Sequence, residues 1–233
     1  MRRDFGRRYG LALAVLLAIA GCGKARREQH PDWVIRARIV FLSEDLRSPR
    51  TAPPLTQLRL LFPYIAGDLY GAPTTGDFIH PVIGADYRFE IDLNRSREFL
   101  LASLEPTQFS LSFLRIQPTE ARIARLAPMA LQADGIEQVG RVDWVDARSK
   151  QPLLLVYVDR AARITGRTLA KGRYLQYDIR ADSPGYVWIE RQVEAAGDVY
   201  RVVPRPAELI LAVTPVTGPP TAASRARKDI PVQ

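Results

Sequence analysis

The chain has 233 residues, 47% of them hydrophobic, with one cysteine, two histidines and a formal charge of +8 from 33 Lys or Arg against 25 Asp or Glu. That length suffices for one large buried core or two small ones, and a lone cysteine excludes an internal disulfide framework. The basic residues are mostly arginine and run the length of the chain with acidic residues between them, which argues against the concentrated, aromatic-interleaved basic face of a nucleic-acid binder.

At the N-terminus, Arg2, Arg3, Arg7 and Arg8 precede the apolar run "LALAVLLAIA" at 11–20. Wound as a helix at about 1.5 Å per residue, that run covers roughly half of a bilayer core about 30 Å thick. It is too short to span, and a basic segment ahead of a short apolar one is the layout of a secretory signal peptide. The run ends in Ile19-Ala20-Gly21-Cys22, which resembles the lipobox of bacterial lipoproteins: an aliphatic residue, two small ones, then the cysteine whose sulfur takes diacylglycerol. The resemblance implies cleavage between Gly21 and Cys22, loss of residues 1–21, and attachment to a membrane through lipid on Cys22. Gly23 stands where an aspartate commonly signals retention in the inner membrane, so the resemblance further implies an outer-membrane lipoprotein facing the periplasm. An ordinary secretory signal with an incidental cysteine is the plainer reading. "RRDFGR" at 2–7 also resembles a twin-arginine export signal, with Gly6 and Met1 departing from the pattern. A simple basic segment explains the same residues, so either export route stays open. Residues 1–21 hold four arginines and one aspartate, and their loss lowers the formal charge to about +5.

Residues 22–31 read as a lipidated, polar tether in which Lys24, Arg26 and Arg27 are placed to attract anionic headgroups. Beyond it the apolar period is two. In "IRARIVF" Ile35, Ala37, Ile39 and Phe41 share one face and Arg36 and Arg38 the other, and "YRFEIDL" repeats the pattern with Tyr87, Phe89, Ile91 and Leu93 inward. "FSLSF" adds Phe109, Leu111 and Phe113. The run "PLLLVYVD" at 152–159 is apolar on both faces, as suits a central strand covered on both sides. Further strands are predicted at 58–62, 122–126, 129–132, 162–166, 174–180, 186–193, 199–203 and 208–213, with an irregular connection over 63–85. Proline and glycine breaks separate them at sandwich-like spacings.

The expected fold is therefore all-β, an antiparallel β-sandwich over 32–216, with a proline joint near 118 that leaves two domains open. A disordered tail is expected over 217–233. This succession of short strands behind a lipoprotein tether resembles the transthyretin-like or carboxypeptidase-regulatory-like, Ig-like sandwiches of exported bacterial proteins. The turn after "LLLVYV" lacks the repeated acidic oxygens of a calcium-binding module, because Asp159 is followed by Arg160, Ala161, Ala162 and Arg163.

Chemistry is sparse. His30 lies in the tether and His80 in the long connection, and no nucleophile elbow, phosphate-cradling loop or helical zinc pair is present. Asp143 and Asp146 in "VDWVD" read as a solvated turn. No enzyme activity, cofactor or metal is expected. Tyr186 and Trp188 fall on one face of their strand, with Val187, Ile189 and Val193 on the other. If the aliphatic face is the core, the two rings form an exposed platform for a sugar ring or a partner surface; the alternative makes the rings core. Two functions follow: a noncatalytic, lipid-anchored envelope protein with a structural or protein-interaction role, or a module that binds an envelope glycan or other ligand.

Overall fold

The computed structural model of the chain describes residues 33–44, 46–66, 79–96, 113–134, 137–170 and 172–215. The predicted signal peptide, Gly21, Cys22 and Gly23, the tether, the tail at 217–233 and most of the strand expected at 109–113 lie outside those residues.

The fold is all-β and sandwich-like. Among the described residues the strands are β1 (Val34–Phe41), β2 (Leu58–Leu61), β3 (Tyr64–Ala66), β4 (Arg88–Asp92), β5 (Arg115–Gln117), β6 (Ile123–Leu126), β7 (Met129–Gln132), β8 (Gln138–Asp146), β9 (Pro152–Val158), β10 (Ala162–Ala170), β11 (Arg173–Ala181), β12 (Gly185–Glu194), β13 (Gly197–Val203) and β14 (Leu209–Thr214). They join in one continuous, open sheet ordered β4-β1-β14-β8-β9-β12-β13-β11-β10-β5, with β2, β3, β6 and β7 off that path. Most pairings are antiparallel, but β1 runs parallel to β14 and β11 parallel to β13. The sheet is thus mixed rather than purely antiparallel as expected.

Side-chain alternation places the strands as the period of two demands. Ile35, Ala37, Ile39 and Phe41 of β1 are buried while Arg36 and Arg38 are exposed, and β4 buries Phe89 and Ile91 between exposed Arg88 and Glu90. Each such isoleucine or phenylalanine contributes roughly 1.5–3 kcal/mol on burial. The cis peptide before Pro118 joins β5 to the turn leading into β6, and both strands belong to the same sheet.

Two segments depart from expectation. The connection predicted over 63–85 begins with β3, paired to β6 from Tyr64↔Leu126 to Ala66↔Ala124. Asp143 and Asp146, read as a turn, lie on β8. That strand is held by backbone pairing rather than by a clean alternation: β14 lines one edge from Arg141 to Asp146, while the other edge meets β7 and then β9. A Cβ on Gly140 would stand 2.3 Å from the Thr214 carbonyl oxygen, so only glycine admits β14 this closely.

β8 and β9 pair only at Trp144↔Leu153 and Val145↔Pro152 before they diverge. The consecutive strands β6 and β7 fill the gap, β6 along β9 and β7 along β8. Their partners β2 and β3 bend with them, and Ala127 N–H donates to the Pro63 carbonyl at 2.9 Å where both strands turn at proline. This fork leaves β9 and the first half of β12 apolar on both faces, as the sequence pattern required of β9. On one face Leu153, Leu155, Tyr157 and Trp188 join a core with β1, β4, β8 and β14; on the other, Val156, Val158 and Ile189 join a second core with β10, β11 and β13.

Candidate functional site

Tyr186 and Trp188 do not form an exposed platform. Trp188 is 5% exposed and meets Trp144 edge to face, with ring centroids 5.7 Å apart. Tyr186 is partly buried against the same core and packs edge to face on Trp33 and Tyr157, each centroid 5.2 Å away. Its hydroxyl shares a 2.8 Å hydrogen bond with that of Tyr64. Burial pushes the Tyr186 phenol well above its usual range, and the neighbouring Tyr64 adds to the effect. Of the two alternatives the rings are core, because β12 lies between β9 and β13 with a core on either side, so Val187 and Ile189 are covered too.

The other residues weighed for chemistry are dispersed. His80 is exposed beside the Phe62↔Ile79 bridge. Asp143 is ion-paired with Arg141 at 2.8 Å, and Asp146 accepts from the Arg148 N–H at 2.8 Å. Among the described residues no group of three His, Cys, Asp or Glu is placed to hold a metal, and no helix is long and apolar enough to cross a membrane. An open groove of about 430 Å³ lies beside the start of β2 and the end of β7, lined by Thr56, Gln57, Gln132 and Asp134 among others.

A different region gathers unusual residues. β10 and β11 form a hairpin turned at Gly172 (φ +75°), and β12 and β13 form another. Because β11 and β13 run parallel, with Tyr174 opposite Gly197, the two hairpin tips sit side by side at one end of the sheet. Large apolar side chains are exposed there: Leu169 by 62%, Val193 by 60% and Tyr174 by 45%. Leu169 and Tyr174 are cross-strand partners, and the Arg167 guanidinium lies over the Tyr174 ring, 3.9 Å from its centroid.

Beneath the tip, Asp198 is the one charged side chain among the described residues that is fully buried. It accepts from Arg173 at 3.0 Å and from the Arg191 Nε at 2.8 Å, with a further, shorter contact to Arg191 Nη2. Arg173 also donates to the Glu194 carbonyl at 3.0 Å. One carboxylate therefore binds β11, β12 and β13 together and fixes two half-exposed guanidiniums at the rim. Sequence reading passed over this end of the molecule. The signal was present: residues 160–177 contain Arg160, Arg163, Arg167, Lys171 and Arg173 and no acidic residue.

Comparison with family models, curated proteins and solved structures finds no match to this chain.

Proposed function

We propose that this protein is a lipid-anchored lipoprotein of the bacterial cell envelope whose β-sandwich has a noncatalytic, structural or protein-interaction role. The observation that carries the reading is the resemblance of Ile19-Ala20-Gly21-Cys22 to a lipobox, behind a basic segment and a short apolar run. Its spacing from the fold supports it: β1 begins at Val34, a polar tether's length beyond Cys22. Cys22 is then the acylated N-terminus, and Gly23 directs sorting to the outer membrane on its periplasmic side. Three acyl chains, at about 0.8 kcal/mol per buried methylene, would make release very slow.

Intact-mass measurement of the native protein tests the reading. A mature chain starting at Cys22 and carrying the mass of the lipid is expected, and a free Cys22 thiol on the mature chain refutes it. Cys22→Ala should accumulate as an unlipidated precursor, and Gly23→Asp should shift the protein from outer to inner membrane fractions. The alternative, a module binding an envelope glycan or other ligand, drew on an exposed aromatic face; Trp188 is buried and Tyr186 partly buried, which favours the first reading.

A further inference from the structure

We propose that the tip of the β10–β11 hairpin forms a second membrane contact, docking on the surface of an anionic bilayer. The inference deepens the reading of a lipid-anchored protein and rests on it for the location of the bilayer, but the contact itself needs no lipid on Cys22.

Three observations carry it. The tip of the β10–β11 hairpin places exposed Leu169 and Tyr174 on one face with cationic Arg167, the composition that suits a headgroup boundary: an apolar side chain and an amphipathic ring enter the interface, and the guanidinium meets lipid phosphate. The β10–β11 hairpin has no acidic residue from Arg160 to Tyr177, so its tip is cationic and complementary to an anionic surface, whereas the neighbouring β12–β13 tip carries exposed Glu194. Arg160 and Arg163 are matched at its far end by Asp159 and Asp178, so the excess lies toward the tip.

The third observation is one of reach. Trp33, the first described residue, packs on Tyr186 and lies against Gly185, at the start of β12, whereas the tip lies at that strand's other end. Ten strand residues span about 30 Å, and the ten residues 23–32 extend to at most about 35 Å. A chain held at Cys22 is thus long enough to let the tip return to the same bilayer. Once anchored, the tip meets that bilayer at high effective concentration, so a contact weak by itself suffices.

The test uses the chain from Gly23 onward, made without lipid; both cores are built from residues between Trp33 and Val213, so the folded unit is retained. Binding is measured by sedimentation with vesicles of phosphatidylcholine alone or with phosphatidylglycerol added, at low and high salt. Binding to the anionic vesicles only, weakened by salt, is expected. Arg167→Glu should lower it at least about fivefold, since each cation near such a surface contributes about one such factor. Leu169→Ser with Tyr174→Ser should lower it about tenfold at unchanged thermal midpoint. If that double variant fails to fold, exposed Arg167 carries the test alone, with Arg167→Lys expected to restore binding. Failure to bind anionic vesicles, or binding indifferent to Arg167→Glu, overturns the proposal. Retention on immobilised polyglutamate without vesicle binding also overturns it, and assigns the tip to an acidic protein instead. Because the chain tested carries no lipid, a negative result leaves the mass test of Cys22 untouched.

Discussion

The two faces of the β9–β12 pair are built on different principles. One core is aromatic: Trp144 stacks on Phe62 at 5.5 Å and meets Trp188 edge to face, while Trp33, Tyr64, Tyr157 and Tyr186 cluster at the other end of the same layer. The other core is mainly aliphatic, with Ile116, Ile123, Ile164, Ile179 and Ile189 around one stacked pair, Tyr177 and Tyr200, and a buried carboxylate at its rim. Large rings fill an irregular space enclosed by a forked sheet, and their edge-to-face contacts add to area burial. Where the sheet runs on as regular hairpins, small branched side chains suffice and an ion clamp secures the end. Adjacent residues on β12 sample both designs, since Trp188 faces one core and Ile189 the other.

The strongest way to break this comparison is Trp188→Ala. Truncating a buried aromatic costs about 3–5 kcal/mol, which for a chain of this size lowers the melting temperature by roughly 10 °C. A shift of a degree or two would mean that the aromatic core can collapse around the void. Next comes Asp198→Ala, which removes charge-assisted bonds to both arginines; about 2 kcal/mol is expected, because the freed guanidiniums can turn to water. If Asp198→Ala costs more than Trp188→Ala by chemical denaturation, the ranking of the two cores is reversed.

A smaller effect separates the cores by pH. The Tyr186 phenol is held neutral in the folded protein above its usual range. In the unfolded chain it ionises near pH 10, so above that pH the unfolded state binds fewer protons than the native one and stability falls as pH rises. Tyr186→Phe should cost about 1 kcal/mol at pH 7, for one hydroxyl bond, and should flatten the alkaline loss of stability by the contribution of one proton. An unchanged slope in denaturant titrations between pH 9 and 11 would show that this hydroxyl is not the group responsible. Smallest of all, Arg36→Ala removes an ion pair with Glu90 between two exposed side chains and should change the stability in denaturant titrations by less than about 0.5 kcal/mol.

Much of this architecture was legible in the sequence, and the exceptions have a common cause. β1, β4 and β9 announce themselves because side-chain burial alone decides their pattern. β8 does not, because its charged residues Arg141, Asp143 and Asp146 interrupt the apolar alternation while backbone partners on both edges hold the strand. β3 is three residues long and follows a proline. β12 stayed ambiguous for the opposite reason: Glu190, Gln192 and Glu194 make its far half look half-solvated, and nothing local reveals that its near half is covered twice. The cationic tip was missed because Arg167 and Tyr174 are seven positions apart, and only the pairing of β10 with β11 puts them on one face.

The place of β1 has a mechanical consequence. A pull on the chain ahead of Trp33 enters the fold through a strand that is flanked on both sides, by β4 from Val34↔Asp92 to Arg38↔Arg88 and by β14 from Arg38↔Ile210 to Phe41↔Val213. Interstrand hydrogen bonds lie across the direction of such a pull, so tension along β1 shears many of them at once instead of unzipping an edge one bond at a time. A load applied at that end is spread over two neighbours before any strand can slip.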